Sequence, residues 1–393
     1  MRKLRVGLFT YGMSQNLTGI GRYAVELSYA FRRLDLPLEM VLLSPYPQSS
    51  LEWYQDFPTH WLPNLRRLPD ILLRGRRELS VAARHLGLDV LHDPCGIAPF
   101  SAQPEPFARV VTIHDAIPVV HPRYQPVLTK IVYRTLMADV PKAADAVIAV
   151  SRSAAEDVVR HMGIPERMVH AIPNGVMPPT RPQITGWQSE LATVRAEMGI
   201  TGPYFLFVGA DNPRKNVAGV IEAFGWFRSQ YPEACLLLVG PPAKALRRNG
   251  PGVRHLGYVD QHMLDVLYVG ASALVFPSFY EGFGFPVLEA MGHGTPVITS
   301  NLSALPEVAG KAAILVNPAD VQAIARAMQD CLDPAVADEL AIRGRMQARL
   351  FDWETAAQRT WEVYQRTASY RRMSGWQPRD VETGDDNRKV RAL

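Results

Sequence analysis

The chain has 393 residues, 47% of them hydrophobic and 20% charged. That is room for two or three domains of about 150 residues, and too ordinary a composition for a disordered chain, a collagen-like rod or a coiled coil. Lys and Arg total 42 against 38 Asp and Glu, a formal charge of +4 that gives no reason to expect nucleic acid as a partner. Cys95, Cys235 and Cys331 form an odd set without CxxC or His-rich spacing. They support neither a disulfide framework nor a zinc site and suit a reducing, cytoplasmic setting.

The N-terminus places basic residues before a short apolar run broken by Gly7, with no small-residue cleavage site behind it, so it reads as a first strand and not as a signal peptide. No run of about 18 apolar residues occurs anywhere, and no spanning helix is expected. Strand-like runs then alternate with helix-length segments: LRVGLFTYG, a helix over 21–33, LEMVLLS, a helical stretch near 76–86, DVLHD, ARVVTIHD, a helix over about 126–143, and DAVIAVS. This alternation predicts a doubly wound, Rossmann-like α/β domain over residues 1–175. Residues 176–200 mix Pro, Gly and polar side chains without periodicity and read as a linker and the entry to a second domain.

The pattern restarts over 201–352 with YFLFVGA, a helix over about 216–230, ACLLLVG, VRHLGYV, a short helix near 261–269, ASALVFPS, a helix opened by Pro286, TPVITS and AAILVNP, then helices from Asp320 and Ala335. A second Rossmann-like domain is expected there. A Trp- and Tyr-bearing helical pattern over 353–372 closes the fold, and the polar residues 373–393 read as a flexible tail.

Open α/β sheets bind ligands beyond the carboxyl ends of their strands, so the active site is expected between the domains. In FPSFYEGFGFPVLEAMGHGTPVITS a strand runs into a glycine-bearing loop and a helix whose first amides make an anion site. Gly282 and Gly284 allow close approach there, and Glu281 and Glu289, eight positions apart, can accept hydrogen bonds from sugar hydroxyls. In VGADNPRKN, Arg214 and Lys215 follow a strand and suit a diphosphate, Arg by bidentate bonding and Lys as a point charge. Gly19, Gly21 and Ala24 match G-x-G-x-x-A formally, but they lie well past the first strand and the second strand ends in no acidic residue, so a loop touching phosphate or acceptor fits better than an NAD site.

His114 and Asp115 end one strand and His92 and Asp93 another, pairings that invite acid–base chemistry. With His121 they lack metal-ligand spacing, and no D-x-D occurs, so no metal is expected. Arg66, Arg67, Arg74, Arg76 and Arg77 stand among Leu and Ile, downstream of Trp53, Tyr54 and Trp61. Such a face suits either solvent or an anionic membrane, the latter placing the protein peripherally at the inner face of the membrane.

GIGRY, VVTIHD, VSRSAAEDV, IPNGV, VGADNPRKN and above all EGFGFPVLEAMGHGTPVITS with LPEVAGKAAILVNP together resemble the retaining GT-B glycosyltransferases of family 4, the glycosyl transferases group 1. The resemblance spans nearly the whole chain. It implies two Rossmann-like domains facing a cleft, a nucleotide-sugar donor held mainly by the second, a glycan or lipid-linked glycan acceptor held by the first, retention of configuration, and no cofactor or required metal. By the same resemblance Glu281 lies near the donor sugar, Glu289 bonds ribose hydroxyls, and Arg214 and Lys215 bind the diphosphate. Phe283 and Gly284 offer backbone amides to the donor, with Gly19 and Gly21 as the N-terminal glycine loop. His114 lies beside the anomeric centre and Asp115 on the acceptor side. Many relatives carry glycine after the lysine, where this chain has Asn216.

The expected chemistry is front-face transfer, in which the nucleotide leaves as Arg214 and Lys215 neutralise it and the acceptor attacks from the same side. The HDAIP variant is similar to bacterial mannosyl- and rhamnosyl-type transferases and favours GDP-mannose; a UDP-hexose is the alternative donor. A sugar-nucleotide epimerase or hydrolase using His92, Asp93 and Asp115 is a rival reading, and a non-catalytic nucleotide-sugar-binding scaffold is another.

Overall fold

A computed structural model describes residues 2–14, 17, 19–46, 51–97, 100–124, 130, 140–176, 187–241 and 250–373. Among these the strands form two wholly parallel sheets. The first contains β1 (Leu4–Phe9), β2 (Leu38–Ser44), β3 (Thr59–Trp61), β4 (Val90–Asp93), β5 (Ala108–Ile113), β6 (Ala146–Ala149) and β7 (Val169–Ala171), in the order β3-β2-β1-β4-β5-β6-β7. The second contains β8 (Tyr204–Val208), β9 (Cys235–Val239), β10 (Val253–Gly257), β11 (Ala273–Phe276), β12 (Val297–Ser300) and β13 (Ile314–Val316), in the order β10-β9-β8-β11-β12-β13. Both orders reverse direction beside the first strand of their sheet, which opens a crevice at the carboxyl ends.

Strand alternation divides the first core in two. Val6, Leu8, Leu42, Val90, Val110 and Ile148 pack on one face, and Phe9, Val41, Leu43, Leu91, Val111 and Val147 on the other. The Leu68–His85 helix supplies Ile71 and Leu79 to the second of these faces. The first is covered by the Gly19–Arg33 helix and by the Trp353–Met373 helix, whose Trp353, Trp361 and Tyr364 join Leu27 and Phe31. The last helix therefore completes the first domain and not the second, which it follows in sequence. The second sheet has its own core, with Phe205, Leu237, Val275 and Ile298 among its fully buried members.

The expected strands and helices are present with small shifts at their ends. The sequence pattern predicts neither of the edge strands β3 and β7, and the helix it places near 76–86 begins at Leu68. Gly19 and Gly21 form the first turn of a helix, not a loop. The helix expected over 126–143 is described only at Val140–Ala143 and residue 130, and the tail over 374–393 lies outside the described residues, as do 177–186 of the expected linker. Val194, on the Trp187–Glu197 helix, is buried in the second core. Among the described residues no helix is long and apolar enough to cross a membrane.

Candidate active site

A cleft of about 710 Å³ lies between the domains, lined by residues that follow strands in both sheets. It gathers Gly19, His114 and Asp115 from the first domain with Arg214, Lys215, Glu281, Phe283, Gly284 and Glu289 from the second. Gly21 is not on its wall; it is buried in the helix, where a Cβ would come within 2.7 Å of the Leu17 side chain. A second crevice of about 770 Å³ lies behind the hinge against Ile172, Pro173, Phe351 and Arg359, and none of the candidate residues lines it.

The segment NPRKN folds as one tight turn. Asn212 accepts from the Arg214 amide at 2.9 Å, Pro213 opens the turn, and Asn216 ends it at φ 59°, a left-handed conformation that Asn tolerates better than most residues. Asn216 thus supplies the backbone geometry a glycine would give, and its amide also donates to the Pro318 carbonyl at 2.6 Å. Gly209, at φ 149°, leaves room for Lys215, whose Nζ would be 2.9 Å from a Cβ there. The Lys215 ammonium lies 4.8 Å from the centroid of the Phe276 ring.

Both cations converge on Glu281. Arg214 Nη1 is 2.7 Å from Oε2 and Lys215 Nζ 3.5 Å from Oε1, the Ser278 hydroxyl donates to Oε1 at 3.1 Å, and the Glu281 amide donates to Ser303 Oγ at 2.9 Å. Burial opposes ionisation of Glu281, but the Lys215 and Arg214 charges outweigh it and hold the carboxyl below its usual range. Glu289, on the Phe285–His293 helix, pairs through Oε1 with Nη1 of Arg22 and accepts from the Tyr268 hydroxyl at 3.0 Å through Oε2. Arg22 had no assigned role in the sequence, although its place three residues after Gly19 puts both on one helix face.

His114 Nε2 is 2.8 Å from the Pro94 carbonyl. A carbonyl only accepts, so Nε2 carries the hydrogen and Nδ1 keeps its lone pair. Burial pushes the His114 pKa down to about 4 despite that bond, so the imidazole is neutral at ordinary pH. Asp115 accepts from the Ile117 amide at 3.0 Å, and burial raises its pKa. The His114 carbonyl packs on Gly282, where a Cβ would land on it, and the Ser151 hydroxyl donates to the Gly282 carbonyl at 2.8 Å. Phe283 is buried, with its ring edge-on to Phe285 and Phe351.

His92 and Asp93 are fully buried and do not line the cleft. The His92 ring bridges the Tyr364 hydroxyl at 2.6 Å and Thr112 Oγ1 at 2.8 Å, a support behind the site, and burial holds its pKa near 3. The acid–base pair a hydrolase or epimerase would need is therefore not assembled there. Arg66, Arg67, Arg74, Arg76 and Arg77 are exposed, together with Trp61, Leu72 and Leu73. Trp53 is not part of that surface, being 2% exposed in the first core, and the Tyr54 hydroxyl donates to the Met13 carbonyl at 2.7 Å.

Residues 17–178 match the sequence model of Glycosyltransferase Family 4, and residues 202–334 that of Glycosyl transferases group 1. The chain is 30% identical to the O-antigen chain mannosyltransferase B of Escherichia coli, over 88% of this chain and 96% of that protein. It is 25% identical to the MMP alpha-(1->4)-mannosyltransferase of Mycolicibacterium hassiacum, over 92% and 98%. Among solved structures, sucrose-phosphate synthase from Thermosynechococcus elongatus superposes with a TM-score of 0.71 at 22% identity, covering 94% of this chain and 100% of that one. Anabaena HepE, solved in complex with UDP-glucose, superposes with a TM-score of 0.72 at 17% identity, covering 92% and 100%. Two parallel-sheet domains, their shared cleft and these likenesses agree: the chain belongs to glycosyltransferase family 4, the glycosyl transferases group 1, and is a GT-B enzyme that transfers a sugar from a nucleotide sugar.

Proposed function

We propose that the enzyme moves mannose from GDP-mannose, with retention of configuration and without a metal, onto a hydroxyl of a glycan or lipid-linked glycan. The observation that carries this reading is the gathering of Arg214, Lys215, Glu281 and Glu289 on one wall of the cleft, opposite His114. Two near-full-length relatives that are mannosyltransferases support the choice of sugar.

In this reading the diphosphate lies beside Arg214 and Lys215 and at the start of the Phe285–His293 helix, where the Phe283 and Gly284 backbone and Gly19 approach it and unpaired amides favour an anion. As the glycosyl bond lengthens, negative charge grows on the leaving phosphate, and two cations only 14% and 17% exposed stabilise it strongly. The acceptor hydroxyl attacks from the same face, and its proton passes to the departing phosphate oxygen. Neutral His114 offers Nδ1 as an acceptor that orients a hydroxyl, and Asp115 stands on the acceptor side. Glu281 is the counter-ion that keeps the cations in place before the donor arrives.

Incubating the purified chain with GDP-mannose, UDP-glucose or ADP-glucose, an oligosaccharide acceptor and EDTA tests this. The expected result is GDP release with a larger, α-configured product. Free mannose would make the enzyme a hydrolase, an altered sugar nucleotide an epimerase, and binding without turnover a scaffold, while turnover with UDP-glucose alone would overturn the choice of donor. The reading includes a peripheral contact with an anionic membrane through the five arginines and Trp61, over whose ring Arg66 lies at 5.7 Å. Cosedimentation with phosphatidylglycerol vesicles, lost on reversing Arg74, Arg76 and Arg77 to Glu, supports it; equal binding by both proteins would sink it.

A further inference from the structure

Arg22 brings to the cleft a cation from the domain opposite to the one that carries the candidate donor residues. Its guanidinium reaches from the Gly19–Arg33 helix to Glu289 Oε1, and its central carbon lies 5.8 Å from the centroid of Phe285, the first residue of the helix that holds Glu289. The other carboxylate oxygen takes the Tyr268 hydroxyl. Tyr268 is itself fixed: its ring stacks on His293 at 5.3 Å, and His293 is tied to the Glu289 carbonyl at 2.8 Å and to Asp265 at 3.4 Å. Burial, reinforced by Glu289, raises the Tyr268 pKa well above its usual value, so its hydroxyl keeps the proton it donates. Glu289 is 7% exposed and Arg22 28%, and both line the cleft.

A carboxylate offers about four lone-pair positions, two on each oxygen. Arg22 and Tyr268 each take one, on different oxygens, which leaves one on each. Two hydroxyls on adjacent carbons present two donors at a spacing that one carboxylate can meet with both oxygens. We infer that Arg22 is a positioning residue that sets the Glu289 carboxylate as a two-point acceptor for the vicinal diol of the donor's ribose, and that this diol is read in full only when the domains close. The inference rests on the nucleotide-sugar reading above. Tyr268 and Glu289 belong to the same domain and stay together whatever the domains do, whereas Arg22 arrives from the other. Capture of the ribose and closure of the cleft are thereby coupled through one ion pair.

The test is calorimetric binding of GDP and 2′-deoxy-GDP, with UDP and 2′-deoxy-UDP in parallel, to the full chain. Wild type is expected to prefer the ribonucleotide about tenfold or more. Arg22→Gln should shrink that ratio at least fivefold while leaving 2′-deoxynucleotide affinity within twofold. Arg22→Lys should recover part of the ratio, and Glu289→Gln should abolish it. A variant that merely packed badly would weaken both ligands alike and leave the ratio intact. Retention of the full ratio in both Arg22 variants overturns the inference and leaves the donor reading standing. If neither diphosphate binds wild type, the donor reading fails and the inference fails with it. Small-angle scattering supplies the second arm: ligand-free Arg22→Gln should have a larger radius of gyration than wild type, and equal radii would refute the coupling.

Discussion

Glu307 caps a helix of the opposite domain at Arg152. Its carboxylate, on the Leu305–Ala309 helix of the second domain, accepts from the Arg152 amide at 3.0 and 3.1 Å, from the Ser153 amide at 3.2 Å and from Arg152 Nε at 3.3 Å. These amides open the Arg152–Met162 helix, where a negative charge meets both unpaired donors and the positive end of the helix dipole. The contact exists only with the domains together. Glu307→Ala should favour the open form by about 1 kcal/mol, raising the donor KM about fivefold with little change in kcat. Scattering on the ligand-free variant should show a larger radius of gyration; an unchanged radius and KM would remove Glu307 from the closure mechanism.

Arg214 and Glu281 should separate binding from turnover. Removing one donor of charge stabilisation costs about a hundredfold or more in rate, so Arg214→Ala should lower kcat by that order. In the proposed reading Glu281 shares its two cations with the donor diphosphate, so Glu281→Gln should tighten GDP binding severalfold while transfer slows. Isothermal titration and initial rates on the two variants decide it, and weaker GDP binding by Glu281→Gln would contradict the competition.

The two buried histidines set an acid limit on stability. An unfolded histidine titrates near 6.5, whereas His114 and His92 titrate near 4 and 3 in the native state. Both folded values are depressed, so the stability they permit is intact above pH 6.5 and is lost as pH falls toward 4, where the unfolded chain binds protons that the native chain refuses. Urea midpoints measured between pH 7 and 4 should fall, and His92→Gln should flatten the slope. Catalysis should show no limb near pH 6.5 from His114, which stays neutral down to about 4.

Asn174 lines the cleft at 1% exposure, with neither side-chain polar atom bonded to any described residue. A buried amide without partners costs stability, so Asn174→Leu should stabilise the ligand-free protein by roughly 1 kcal/mol while weakening substrate binding. Thermal melts with and without GDP-mannose check both halves. A destabilised variant with unchanged binding would make Asn174 a purely architectural residue.

The parallel strands were legible because both of their faces are buried, which leaves near-continuous apolar runs such as CLLLV and ALVF. The short edge strands β3 and β7 lack such runs, since Thr59 and Trp61 are exposed and Val169–Ala171 is only partly covered. Arg214, Lys215 and Glu281 are legible because each lies in a loop that follows a strand, and Glu289 because it sits one helical stretch further on, eight positions after Glu281. Arg22 is not, because its partner is 267 positions away and no local pattern joins them. Sequence adjacency alone groups Trp53 with the exposed arginines, and the fold buries it.

Because the Trp353–Met373 helix packs beneath the first sheet, the first domain is built from both ends of the polypeptide. Excising residues 1–175 would strip Trp353, Trp361 and Tyr364 from its hydrophobic floor, and a chimera joined only once, near the linker, would graft a mismatched final helix onto it. Exchange of second domains between relatives thus demands two splice points, one at each passage of the backbone between the domains.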